Sequence, residues 1–151
     1  MAVKHHRQAL REAAAAILAD LPSTRERVYQ SRVWPVDASR LPCLLIFTRR
    51  EQRGEVSRPP RKFDRSLELI VEGIVAASEA TLDDRLDTIA AEVEAALAAS
   101  PNLAGTAKEC IYENTVCELR AREGEKPVGA VQLVYAVEYR TTEADPTVGI
   151  A

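Results

Sequence analysis

Between residues 63 and 78 the chain reads FDRSLELIVEGIVAAS, and apolar and polar positions alternate with a period of two. Leu67, Leu69, Val71 and Val75 fall on one face with Gly73 among them, while Glu68, Ile70, Glu72 and Ile74 share the other. That period predicts a strand. Its second face is half apolar and is a candidate for burial against another element. The same alternation returns in VGAVQLVYAVEYRT (128–141), where Val131, Leu133, Tyr135, Val137 and Tyr139 line one face. LPCLLIFTRR (41–50) is a continuous apolar run that turns charged at Arg49, and RVYQSRVWP (27–35) is a shorter strand candidate ending at Trp34-Pro35. KECIYENTVCELRA (108–121) reads as a further strand with a bulge near Asn114.

Two segments carry the helical period instead. In residues 4–20, Leu10, Ala14, Ile17 and Leu21 form a stripe widened by Ala13 and Leu18, and Pro22 ends the segment. In residues 81–101, Leu82, Leu86, Ile89, Val93 and Leu97 form a stripe that Pro101 stops, with Thr81 and Asp84 in a capping-box arrangement. The order α-β-β-β-α-β-β predicts an α+β fold: a mostly antiparallel sheet with two helices packed on one face. Residues 1–142 are expected to form a single domain, and 143–151 a flexible, frayed tail.

Composition changes this picture little. A chain of 151 residues that is 46% hydrophobic and 28% charged has the make-up of one soluble globular domain. The basic start and Ala-rich middle of the N-terminal segment are interrupted by Arg11, Glu12 and Asp20, so it does not read as a signal peptide, and a cytoplasmic location is expected. Charge is more informative. From Arg49 to Arg65 there are seven basic residues against three acidic ones, about +4, which leaves about −7 for the rest of a chain whose net charge is −3. Such a chain lacks the extended basic face of a general DNA binder. Residues 50–62 contain one glycine and two prolines and no apolar period, and are expected to be a mobile loop or the tip of an extended hairpin. Arg49, Arg50, Arg53, Arg58, Arg61 and Lys62 would make it a docking arm for an acidic partner.

The search for catalytic chemistry returns little. GEKPVG (124–129) has two glycines and a lysine, but Lys126 precedes a proline and a strand follows, so it lacks the order of a phosphate-binding loop; EGEK (123–126) is read as a turn. Glu68 and Glu72 lie four strand residues apart, about 13 Å, too far for a working carboxylate pair. His5 and His6 are expected in a solvated helix start, pointing apart. Cys43, Cys110 and Cys117 form no C-x-x-C, so they are expected to be reduced and mostly buried; in a regular strand Cys110 and Cys117 would face opposite ways. No catalytic residue, metal site or cofactor is expected, and the chain is not expected to be an enzyme.

RQALREAAAAILADLP (7–22), SRPPRKFDRSLELIVEGIV (57–75), TLDDRLDTIAAEVEAALAA (81–99) and GEKPVGAVQLVYAVEYRT (124–141), in this order and spacing, resemble the phage tail terminator family, the minor tail protein U-like proteins of long-tailed phages and prophages. The resemblance covers about residues 7 to 142 and includes no catalytic signature. It implies an α+β subunit that assembles as a homo-hexamer ring on the completed tail tube, stops its polymerisation and offers the surface to which the head joins. Its implied partners are further copies of itself, the tail tube protein and a head-completion or connector protein. Double-stranded DNA would pass through the ring without sequence-specific binding, and no membrane is involved. The implied locations are the host cytoplasm during assembly and the head-proximal end of the tail in the virion. On this reading the basic loop docks on the tube, and Glu68, Ile70, Glu72, Ile74, Gln132, Glu138 and Arg140 are candidates for the subunit interface or lumen wall. The alternatives are another neck or head-completion subunit and a cytoplasmic α+β ligand-binding or regulatory module.

Overall fold

The alternating segment forms β3 (Lys62–Ala76), which pairs antiparallel with β2 (Cys43–Val56) on one side and β5 (Val128–Thr142) on the other. These belong to a computed structural model that describes residues 3–35, 37–120 and 126–151. β4 (Glu109–Arg120) lies antiparallel outside β5, and β1 (Val28–Tyr29) lies parallel to β2, giving the order β1-β2-β3-β5-β4. Helices α1 (His6–Ile17) and α2 (Glu79–Ala98) complete an α+β fold whose element order follows the sequence pattern.

Both helices cover the same face of the sheet. Leu10, Ala14 and Leu18 of the first helical segment and Leu82, Leu86, Ile89, Val93 and Leu97 of α2 pack in one cluster with Leu44 and Ile46, with Leu67, Leu69, Val71 and Val75, and with Val131, Leu133, Tyr135, Val137 and Tyr139. The period-two and period-3.6 stripes thus become the two sides of one core, as apolar burial requires. Gly73 lies where α2 comes nearest: a Cβ built there would sit 2.7 Å from Ile89 Cγ2 and 3.3 Å from Val131 Cγ1.

Several elements differ from the sequence expectation. The strand expected over 27–35 is limited to Val28 and Tyr29, and the following residues include only a short 3-10 turn at Ala38–Arg40. Most of the expected loop at 50–62 is strand: β2 runs to Val56, and the tip occupies residues 57–61. The hairpin alternative is therefore the one observed. Thr81 does not cap α2; the helix begins at Glu79 behind Ser78, because β3 ends at Ala76 and the chain turns at once. Thr81 instead lies in the first turn, its hydroxyl 3.0 Å from that of Ser78.

The bulge near Asn114 is present as a register shift between Tyr112 and Asn114. It also reverses the expectation for the cysteines. Cys110 lies opposite Val137 and Cys117 opposite Val131, both residues of the helix-covered face, because Glu113 is the extra residue in between. The tail expected to fray folds back, with Ile150 N–H donating to Arg140 O at 2.8 Å and His6 N–H donating to Pro146 O at 3.0 Å. The turn expected at 123–126 lies, apart from Lys126, outside the described residues.

Replacing Gly73 with alanine forces a methyl group into the Ile89 contact. The expected result is a loss of roughly 1–3 kcal/mol in denaturant unfolding, the range for an overpacked core. An unchanged midpoint would show that α2 can move away from β3 freely.

Candidate functional site

Beyond Leu67 and Tyr139 the helix-covered face turns polar. Glu51, on the inner side of the long hairpin, accepts from Arg7 at 2.7 Å, from Arg65 at 3.0 Å and from the Tyr139 hydroxyl. Arg65 also donates to the Thr141 hydroxyl at 3.0 Å and lies 5.8 Å from the centres of both the Phe63 and Tyr139 rings. His5, the N-cap of α1, accepts from Arg7 N–H at 3.0 Å; burial, with Arg7 beside it, holds its imidazole below the ordinary 6.5. His6 lies 2.7 Å from Thr106 O and 5.3 Å from the Tyr139 ring. The two histidines are thus partly buried and engaged, not solvated as expected, because the tail and the outer hairpin close over the start of α1. This cluster ties α1, β2, β3 and β5 together at the end of the sheet that the apolar core does not reach. Its hydrogen bonds run between elements of the chain itself, which makes it a structural clamp.

The opposite face holds a second polar arrangement. Trp34 Nε1 donates to Glu72, and Gln132 donates to the other Glu72 oxygen at 2.9 Å, so a carboxylate only 6% exposed is held by two neutral donors. Trp34, Tyr29, Leu41 and Phe47 lie over Cys43, Leu45, Ile74 and Ala130. Tyr29, Trp34 and Leu41, with Phe47 of β2, therefore supply the cover that the half-apolar second face of β3 called for. An open groove on this side is lined by Tyr29, Val33, Trp34, Pro35 and Leu45.

The residues expected at a subunit interface divide accordingly. Ile70, Ile74 and Glu72 are buried within the chain and offer no surface, a correction that for Ile74 and Glu72 follows from the Trp34 cover. Gln132 holds Glu72, Glu68 pairs with Arg49, and Arg140 donates to Asp64 at 2.6 Å and 3.2 Å. Glu138 is half-buried opposite Glu109.

The expected docking residues spread along the hairpin. Arg49 is held by Glu68 and Arg61 lies 3.5 Å from Glu143, whereas Arg50, Arg53, Arg58 and Lys62 are exposed without an ion-pair partner among the described residues. The sequence reading passed over β4. It is the outer strand on its side, and Ile111, Val116 and Leu119 are 50%, 54% and 60% exposed. The signal was available: this segment has the weakest apolar alternation of the four long strands.

Burial pushes the thiols of Cys43 and Cys110 up to about 11, which leaves them protonated and poor nucleophiles at neutral pH. Cys117 is exposed, contrary to the expectation of burial, and what desolvation it has, with Asp87 and Asp83 of α2 adding to it, keeps its thiol above the ordinary range. Among the described residues, no group of three His, Cys, Asp or Glu side chains is placed to hold a metal ion. No described helix is long and apolar enough to cross a membrane.

No protein-family model matches the chain, and no curated protein does. Among solved structures, a chain from the virion of a native gene transfer agent particle is similar at 16% identity and a TM-score of 0.42, with 91% of this chain and 92% of that one covered.

Glu51→Ala would leave Arg65 and the Tyr139 hydroxyl without their shared acceptor. A loss of roughly 2–4 kcal/mol is expected in urea unfolding at neutral pH, with Glu51→Gln less damaging because it keeps an acceptor. Asp64 gives a pH-dependent counterpart. The Arg140 hydrogen bond, ahead of the charges of Arg140 and Lys108, holds its carboxyl below the ordinary 3.8. A depressed folded value stabilises above the unfolded value and is lost as pH falls through the folded one. Asp64→Asn should therefore unfold more readily than the parent at pH 7, and the gap should close on acidification below about pH 4. A gap of constant size would assign the loss to packing.

Proposed function

We propose that the chain is a structural subunit of a phage or prophage tail, a terminator whose copies close into a hexameric ring on the end of the finished tube, stop its growth and present the surface that the head joins. On this reading it has no catalytic activity and needs no cofactor. It binds copies of itself, the tube protein and a head-completion protein, and DNA passes through the ring without base-specific contact. Assembly takes place in the host cytoplasm, and the protein ends up in the virion.

The four-segment resemblance over residues 7–142 supports this reading. The observation that carries it is the basic hairpin. β2 and β3 run past the apolar core and end in a tip with Arg58, Arg61 and Lys62 exposed, a projecting positive arm suited to an acidic rim. The polar clusters around Glu51 and Glu72 are consumed in holding elements together, as expected of a subunit whose work is done at its surface.

The test uses tubes assembled from the tail-tube protein encoded beside this chain, viewed by negative-stain electron microscopy. Added chain should place a ring on tube ends and stop further lengthening. Arg58→Ala with Lys62→Ala should weaken capping roughly tenfold, since an exposed ion pair contributes up to about 1 kcal/mol. Tubes that keep growing in the presence of the parent chain would remove the terminator reading. Normal capping by the double variant would remove the hairpin tip from it.

A further inference from the structure

Every residue of β4 from Ile111 to Leu119 is exposed, on both faces of the strand. On the helix side the cause is spacing. Strands lie about 4.8 Å apart and packed helices about 8–10 Å, so two helices side by side cover about four strands. α1 packs on β2 and α2 on β3 and β5, which leaves β4 beyond their reach. Register puts Tyr112, Thr115, Cys117 and Leu119 on this side, opposite Tyr135, Leu133, Val131 and Gly129. The flank of α2 beside them is a stripe of helical spacing, Asp83, Asp87, Ala90 and Glu94, whose carboxylates form no ion pair with a described residue. Asp83 and Asp87 lie near the Cys117 thiol and Glu94 near the Tyr135 hydroxyl. Arg85, the one cation of α2, lines a pocket on the other flank with Ser23, Pro42 and Val75. Tyr135 is only 3% exposed and lies between the two walls, near Glu94 of α2 and near Cys110 and Tyr112 of β4. Its hydroxyl has no hydrogen-bond partner among the described residues.

We infer that this trough between α2 and β4 is the binding slot for a basic amphipathic helix of a partner protein. The inference rests on the reading of the chain as a structural subunit that works through its surface, and it names the chemistry of one partner. Tyr112 and Leu119, 44% and 60% exposed, would take the apolar stripe of the entering helix. Asp83, Asp87 and Glu94 would take its lysines or arginines, which recur at the same helical spacing. Their stripe spans about 17 Å at 1.5 Å per residue, so about three helical turns fill it. The Tyr135 hydroxyl, buried and unpaired in the free chain, gains a partner if a donor of that helix reaches it. A strand added to the edge of β4 would leave the α2 carboxylates unmet, so the observations favour a helix. The slot also has a direction. Leu119 and Val75 both pair with Gly129, and α2 begins just after β3 ends, so the Leu119–Asp83 end lies opposite the hairpin tip. With the tip on the tube, the slot opens on the side where the head joins.

The probe is a synthetic helical peptide of about four turns, with leucines on one face and lysines on the other. A counterpart with glutamates for lysines is the control. Each is titrated into the full chain at low salt and followed by fluorescence anisotropy, and alkylation of Cys117, the exposed thiol, is mapped by mass spectrometry. The lysine peptide should bind and slow Cys117 alkylation at least about tenfold, and the glutamate peptide should do neither. Asp83→Lys with Asp87→Lys should weaken the lysine peptide at least about tenfold and favour the glutamate peptide instead. Leu119→Ser leaves the charges in place and should weaken binding at high salt as well as low. Thermal unfolding checks that each variant folds. A lysine peptide that does not bind, that binds without protecting Cys117, or that binds the double variant as well as the parent would overturn the inference. So would protection of Cys117 in rings on tube ends with no peptide present, which would give the slot to the neighbouring copy. Peptide binding is read in the free chain and capping on tubes, so the slot and the terminator reading can fail separately.

Discussion

The physical constraint on which the rest of this structure depends is a mismatch of lengths between the sheet and the helices that cover it. β3 and β5 each have 15 residues and extend about 50 Å at ~3.4 Å per residue. α2 has 20 residues and is about 30 Å long at 1.5 Å per residue, and the 12-residue α1 is about 18 Å. A core built from these parts must end before the strands do. It ends at Leu67 and Tyr139, and the remaining backbone needs another means of support. The Glu51 cluster supplies it at one end of the helix-covered face, by binding the start of α1 to three strands through Arg7, Arg65 and Tyr139. The returning tail adds to it by hydrogen-bonding to both His6 and Arg140.

This division explains what could be read from the sequence. Stripes were legible because each is a local statement: Leu67-Leu69-Val71-Val75 and Leu82-Leu86-Ile89-Val93-Leu97 report their own period, and both meet in the core. The outer half of the hairpin was not legible as strand because, past Arg49, neither face of β2 is buried against a core, so no apolar alternation is required of it. The clamp was illegible for a different reason. Glu51 meets Arg7 and Tyr139 across 44 and 88 residues, and nothing near any of them in sequence marks the partnership. The half-apolar second face of β3 did announce a cover. That the cover would come from Tyr29, Trp34 and Leu41, with Trp34 reaching Glu72, depends on tertiary contacts and not on any local period.

The cysteines show how a single inserted residue defeats period counting. Seven residues separate Cys110 from Cys117, an odd number that places them on opposite faces of a regular strand. The shift at Tyr112–Asn114 removes one step, and both fall on the helix side, one against the core and the other near Asp87 of α2. The bulge itself was anticipated, whereas its consequence for facing was not carried forward. The same shift leaves Glu113 as the extra residue of an outer strand, where it lines a shallow pocket with Arg50, Glu68 and Ala136.

A sheet with two long outer strands has to keep their open backbone from pairing indiscriminately. Long outer strands with open backbone are templates for aggregation, and charge and bulges are the usual protection. Both edges here carry that protection, with two register shifts and exposed arginines on β2 and one shift and exposed glutamates on β4. β4 also exposes Ile111 and Val116, apolar area that a purely protected edge would not present. The fold thus separates its tasks by surface: one face of the sheet is spent on the helices, the other is partly closed by the Trp34 segment, and the outer strands carry the charges and register shifts that keep open backbone from pairing.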